Sequence, residues 1–428
     1  MLRLALIAIA ALLAGAAAMP RAAVSPVSRV ETVIPSTYFG MHFHRADRGT
    51  TWPGREIGSW RLWDAGTLWI DIEPRAGEQN FSRLDRYVSM AALTGSEILL
   101  PFGMTPAWAS ARPEEKGVYR RGDTAEAKRI EDWEHHVRTV ATRYQGRIRH
   151  YELWNEVNAG TGFFTGSPQA MFTLQKSAYA IVKQIDPAAT FVAASSVGES
   201  AHQLRWFEDY LALGAAKHAD VIAYHFYQPR KKPEAIIELA QKVRSAMARQ
   251  GAGHMPLWNT ESGYRMALGQ PAKASAADGS WPELDAVTAE AYVARALILG
   301  WWAGIDRFYW YAWDNRELGF VNAAGETMPA GRAYLAVARW MTGARMRDCR
   351  ADGEVWRCEL LRDGRRAWLV WAADNAIRTW QVPESTVTHI ELLDGSVQAL
   401  GTVRAVRLDG RPRLLMQGAT PFRQASAR

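Results

Sequence analysis

Between residues 36 and 343 the chain alternates short apolar runs with longer stretches whose apolar residues recur at helical spacing. Eight of the runs, at 38–43, 59–63, 97–102, 148–154, 190–195, 221–226, 256–260 and 307–312, predict strands. The stretches between them predict helices. Ile130, Trp133, Val137, Val140, Ala141 and Tyr144 share one face, and Gly146 is placed to end that helix. Ser167 is a natural N-cap with Pro168 in the first turn, and Met171, Leu174, Ala178, Ile181, Val182 and Ile185 form the buried stripe before Asp186-Pro187 stops it. Eight such βα units in this length predict a closed (β/α)8 TIM barrel over 36–343 rather than an open sheet.

After Gly343 the pattern changes to short alternating segments at 354–361, 366–371, 386–393 and 403–408, separated by turns such as Arg362-Asp363-Gly364. It predicts a small C-terminal all-β sandwich domain over 344–423, with residues 24–35 as a candidate edge strand. Cys349 and Cys358, the only two cysteines, sit nine positions apart between strand-like segments and are expected to bridge a hairpin. Two free buried thiols are the alternative.

The N-terminus adds a compartment. Arg3 followed by an uncharged, alanine-rich apolar run to Met19 predicts a signal peptide at 1–18, with Ala16-Ala17-Ala18 supplying the small residues for cleavage. The run is short for a membrane span, and retention as an anchor is the alternative. The expected location is periplasmic or secreted, with no membrane span after signal removal. Hydrophobic residues at 48% and charged residues at 22% argue against disorder. The net charge of +7 is spread along the chain, and its densest cluster is Arg230-Lys231-Lys232. With no nucleic-acid module beside it, that cluster reads as a solvated loop and no nucleic-acid partner is expected. On charge alone, an acidic polysaccharide or an anionic cell surface fits better. A monomer is expected.

Candidate chemistry gathers at the strand ends. Tyr151-Glu152-Leu153-Trp154-Asn155-Glu156 and Met255-Pro256-Leu257-Trp258-Asn259-Thr260-Glu261 each run from an apolar segment into a terminal glutamate. Hydrolysing a glycosidic bond needs two carboxyl groups facing each other across it, and the C-terminal mouth of a barrel is where they would meet. Glu156 is the candidate acid/base, and Asn155 beside it a candidate ligand for a sugar 2-hydroxyl. Glu261 is the candidate nucleophile, expected to stay ionised while Glu156 is held protonated. Arg61, Tyr224 and His225 are candidate donors to Glu261, and Tyr227 belongs to the same strand-end cluster. His42 and His44 are candidate parts of a sugar-binding floor. They could also pair on a metal with Asp47, but no third histidine or cysteine accompanies them, so neither metal nor cofactor is expected. Most of the 19 tryptophans read as core. Trp310 and Trp313 are the candidates to stack under a sugar, and Trp108 joins the substrate-binding set. The segments 45–58, 109–124, 158–166 and 265–283 would build the mouth.

Together these residues resemble the retaining glycoside hydrolases of clan A, whose acid/base glutamate follows an asparagine at the end of barrel strand four and whose nucleophilic glutamate ends strand seven. The barrel followed by a β-sandwich, and the Trp-Asn-Glu-x-Asn run at Trp154 to Asn158, look most like family 39, with Val157 standing where that family has proline. The resemblance covers about 36–420. It implies an exported endo-acting hydrolase of a bacterial exopolysaccharide. An exo-acting β-xylosidase-like enzyme of the clan is one alternative, and a non-catalytic polysaccharide-binding barrel another.

Overall fold

A computed structural model of the chain describes residues 29–160, 162–267, 281–402 and 404–422. Residues 1–18, expected to be a signal peptide, and most of the 265–283 segment lie outside the described residues. Nine parallel strands, β1 (Phe39–His42), β2 (Ser59–Arg61), β3 (Glu97–Phe102), β4 (His150–Leu153), β5 (Thr190–Val192), β6 (Ser196–Val197), β7 (Ile222–His225), β8 (Leu257–Ser262) and β9 (Arg307–Trp310), form one sheet. Its order is β5-β4-β3-β2-β1-β9-β8-β7-β6. A parallel bridge between Val192 and Val221 joins the two ends, so the sheet closes on itself. β5 and β6 are one interrupted strand, and the barrel has the eight-strand geometry expected from the sequence.

Helices cover the outside: α1 (Trp69–Ile72), α2 (Ser82–Thr94), α3 (Ile130–Tyr144), α4 (Pro168–Ile185), α5 (Ala201–Ala212), α6 (Ala235–Arg249), α7 (Ala286–Trp302) and α8 (Pro329–Met341). The predicted stripes on α3 and α4 are the buried faces, and Ser167 caps α4 by accepting from the Ala170 amide. One unit departs from the βα pattern: β1 is followed by a loop with no helix among its described residues. The 43–58 connection to β2 is interrupted by Gly49, Pro53 and Gly54, the two glycines at positive φ, which no helix accommodates.

Leu99, Val192, Val221, Ala223, Trp258 and Tyr309 fill the barrel interior, and the alternate residues of each strand pack outward under the helices. α7 approaches β9 so closely that a Cβ on Gly300 would sit 2.7 Å from the Phe308 ring.

β10 (Arg345–Asp352), β11 (Val355–Arg362), β12 (Arg365–Ala372), β13 (Arg378–Gln381), β14 (His389–Glu391), β15 (Val397–Ala399), β16 (Ala405–Leu408) and β17 (Arg413–Met416) follow the barrel. A six-stranded antiparallel sheet, β10-β11-β12-β17-β14-β15, stacks on the β13–β16 pair. Trp368, Val370 and Ala372 face that pair, while Leu369 and Trp371 face the barrel's own core. Both faces of β12 are therefore buried, which makes this a sandwich lying on the barrel. The segment before the barrel joins it through an antiparallel bridge from Val33 to Arg345 and through Glu31, which pairs with Arg345 and Arg347. Cys349 and Cys358 are register partners on β10 and β11 and are joined by a disulfide. No helix of the described residues is long and apolar enough to cross a membrane.

Candidate active site

The strand ends converge on a cavity of about 730 Å³ lined by Glu156, Glu261, His44, Asp64, Trp63, Tyr227, Trp281 and Tyr311 among others. The turn that delivers Glu156 is tight. Trp154 and Glu156 both have positive φ, at 54° and 43°, each costing roughly 1 kcal/mol for a residue with a side chain. The turn is held by a hydrogen bond from the Trp154 amide to Phe102 O at 2.6 Å and from the Trp154 indole to Phe163 O at 2.7 Å. The break between β5 and β6 serves the same turn. Ser195 lies in that break, its carbonyl accepting from the Val157 amide and its hydroxyl from the Glu156 amide.

Arg61, fully buried, is the hub. Its Nη1 donates to Glu261 at 2.8 Å, its Nη2 to Asn155 Oδ1 at 2.8 Å and its Nε to Glu152. A planar fork of donors is the group suited to organise several acceptors at once. Glu261 accepts a second bond, at 2.9 Å, from the Tyr227 hydroxyl. His225, expected as a donor to Glu261, is bonded elsewhere: its Nδ1 lies 2.9 Å from Glu156 Oε1 and its Nε2 3.1 Å from Thr260 Oγ1. Glu156, His225 and Glu261 each place one polar atom within 4.8 Å of the other two. Tyr224, considered as a donor to Glu261, turns away and donates to Gly198 O.

His42 is buried beneath the pair, accepting from Arg61 and bonded through Nδ1 to Trp310 O at 3.0 Å. Burial, reinforced by the Arg61 charge, pushes its pKa well down, so it is neutral. His44 lines the cavity with its ring against Tyr311. Asp47 does not join them: it accepts from Tyr87 and pairs with Arg83. The His42–His44–Asp47 set therefore does not converge on a common point.

The three tryptophan assignments need correction. Trp310 points out of the barrel, stacked at 5.4 Å on Phe320 in the helix-facing core, because the inward position on β9 belongs to Tyr309. Trp313 is buried between Phe43 and Phe320. Trp108 packs edge-on against Trp69 and donates to Glu73 O, away from the cavity. The rings that do reach the cavity are Trp63, Phe163, Tyr227, Trp281 and Tyr311. Residues outside the sequence expectation are Asp64, Tyr311 and Thr260. Asp64, at φ 55°, ends the second strand region and accepts from both Tyr311 and Tyr119. Its acidic type just past an apolar run is the same signal that marks the two glutamates.

Burial pushes the pKa of Glu156 and of Glu261 up to about 7, with Arg61 pulling each down and Asp64 pushing each back up. The expectation that Glu261 alone stays ionised is not met by burial, which treats the two alike. They differ in hydrogen bonds: Glu261 accepts from a guanidinium and a phenol, whereas the Glu156 carboxyl, among the described residues, is hydrogen-bonded to an imidazole alone.

No protein-family profile matches the sequence. Solved structures do. A family 39 glycoside hydrolase from Bacteroides cellulosilyticus WH2 is similar over 90% of this chain and 81% of its own, at 16% identity and a TM-score of 0.69. A family 39 β-xylosidase from Caulobacter crescentus matches over 93% and 98%, at 17% identity and a TM-score of 0.64. The family 39 enzyme from Xanthomonas axonopodis pv. citri matches over 90% and 94%, at 15% identity and a TM-score of 0.60. The chain has the fold of the clan A glycoside hydrolases, most like that of family 39.

Proposed function

We propose that the protein is an exported retaining glycoside hydrolase that cleaves a bacterial exopolysaccharide within the chain. The observation that carries the reading is the spacing of the two carboxylates, one oxygen of each within 4.8 Å of the other. Retention goes with carboxyl groups roughly 5–5.5 Å apart and inversion with roughly 6.5–9.5 Å, which leaves room for a water between them. In the first step Glu261 attacks the anomeric carbon, the bond to the leaving oxygen breaks, and Glu156 gives that oxygen its proton. In the second, Glu156 takes a proton from water, which displaces Glu261 and releases the sugar. Asn155 Nδ2, buried and without a hydrogen-bond partner among the described residues, is the donor available for a hydroxyl of the sugar in between.

A cavity of about 730 Å³ walled by Trp63, Phe163, Tyr227, Trp281 and Tyr311 holds more than one sugar ring, which supports an endo-acting enzyme. The likeness to a structure described as a β-xylosidase favours the exo-acting alternative. Purified protein and its Glu156→Gln and Glu261→Gln variants, incubated with bacterial exopolysaccharides and aryl β-glycosides, separate the readings. Oligosaccharides released by the parent and by neither variant are the expected result. Release from aryl glycosides only would favour the exo-acting enzyme, and binding of polymer with no cleavage would overturn the hydrolase reading.

A further inference from the structure

We propose that Glu152 and Thr260 are positioning residues that fix His225 as its Nε2–H tautomer, so that the imidazole offers Glu156 a lone pair and holds it in its acid form. The inference rests on the reading of Glu156 as the acid/base and deepens it.

It follows from the direction of each hydrogen bond along one buried chain. Glu152, with no exposure to solvent, lies against Arg61, which can only donate. Its other oxygen, Oε1, is 2.7 Å from the Thr260 hydroxyl, and a carboxylate can only accept, so Thr260 spends its one proton there. Thr260 Oγ1 is then an acceptor toward His225 Nε2, 3.1 Å away, which must carry a proton. His225 is neutral, since burial lowers its pKa to about 4, and a neutral imidazole has one N–H. Nδ1 is therefore a bare lone pair, 2.9 Å from Glu156 Oε1. Only a protonated Glu156 makes that contact a hydrogen bond; an ionised one would set a carboxylate oxygen against a lone pair. The same arrangement makes the Glu156 carboxylate more basic, which is what the second step of the reaction asks of it. The distinction that burial fails to make between the two glutamates is thus made by a relay in which Glu156 donates to His225, His225 to Thr260 and Thr260 to Glu152, which Arg61 anchors.

The other charged or titratable groups facing Glu156 are Arg61 and Asp64 from the end of β2, Glu261 of β8, and Tyr227 beyond β7. His42 and His44 of the β1 end and Tyr311 beyond β9 stand around the same pair. None of these bonds to either His225 nitrogen, so none sets its tautomer.

Glu152→Gln reverses the relay with little change of shape. Arg61 claims the amide oxygen, the amide nitrogen donates to Thr260, Thr260 donates to Nε2, and Nδ1–H now donates to Glu156. Thr260→Val removes the acceptor at Nε2, and Thr260→Ser restores it. The test is nitrogen NMR of histidine-labelled protein, with His225 assigned by substitution, alongside kcat/KM against pH. The expected result is a pyrrole-type Nε2 and pyridine-type Nδ1 in the parent and in Thr260→Ser, exchanged in Glu152→Gln. In that variant and in Thr260→Val the alkaline limb should move down by about one pH unit. Hydrolysis of glycosides with poor leaving groups should fall about tenfold at pH 7, while dinitrophenyl glycosides, which need no acid, change less than twofold. A parent with Nδ1–H, or a Glu152→Gln protein whose tautomer is unchanged, overturns the relay whether or not the protein is active. A parent that hydrolyses no glycoside overturns the hydrolase reading and leaves the tautomer measurement to decide the relay.

Discussion

Glu156 and Glu261 are the same residue type at the same kind of position, and what distinguishes them is the hydrogen-bonding partners the fold supplies. That has a thermodynamic consequence. A glutamate whose folded pKa is about 7, against about 4.3 in an unfolded chain, binds its proton more tightly when folded. Its contribution to stability is fully present below about pH 4.3 and is lost as the pH rises through about 7. For a side chain 14% exposed to a cavity the loss is about 1–3 kcal/mol. Glu156→Gln does not titrate, and its amide can donate to His225 Nδ1 as the protonated acid would. Its melting temperature should match the parent's near pH 4.5 and exceed it at pH 8 by roughly 1–4 °C. Melting curves across that range check this, and a gap that stays constant or changes sign would remove the charge-burial argument. The positions of both glutamates are legible in the sequence because each ends an apolar run. Their partners are not. Glu152 and Thr260 touch across 108 positions of chain, and the pairing exists only once β4 and β8 face each other inside the barrel.

Strands and helices are legible for the reason that local pattern and tertiary environment agree: an apolar run becomes a buried strand and a 3.6-residue stripe becomes a helix face. What local pattern does not carry is which face of a short strand looks inward, and that is what decides Trp310. A shift of one position along β9 exchanges the barrel interior for the helix layer, so Tyr309 lies inside and Trp310 outside. Loops are harder still, because their shape depends on side chains bonding their own backbone. In the segment after β3, the buried Asp123 carboxylate accepts from the amides of Val118, Tyr119 and Arg120. The loop so formed aims Tyr119 at Asp64, on the cavity wall. Asp123→Ala strips all three amides of their acceptor, a loss of about 1–3 kcal/mol in that segment. It should open 112–122 to limited proteolysis and raise KM several-fold with kcat little changed. Resistance to protease equal to the parent's would mean that the loop is held by its other contacts.

The sandwich and the barrel look separable in the sequence, where the texture changes after Gly343, yet one hydrophobic core runs through both. Leu360, Leu369, Trp371, Leu414 and Met416 of the six-stranded sheet belong to the same cluster as α7 and α8. Polar contacts reinforce the junction. Arg295 of α7, its side chain fully buried, is paired with Glu234 at the start of α6 and donates to Asn375 and to Ala373 O in the turn after β12. The indole of Trp371 on β12 also donates to Glu234. Arg362 of β11 reaches back to the carbonyls of Trp340 and Thr342 at the end of α8. Two bodies sharing an apolar core and buried ion pairs unfold together, because separating them exposes the whole face to water at once. Calorimetry of the parent should therefore show a single transition. Arg295→Ala leaves Glu234 without its charge partner beside the junction, an effect of about 3–5 kcal/mol when one member of a buried pair is removed. It should lower that one transition without splitting it. Two transitions in the parent, or a low-temperature step in the variant that leaves the barrel folded, would show the sandwich to be an independent unit, and the active site to owe nothing to its presence.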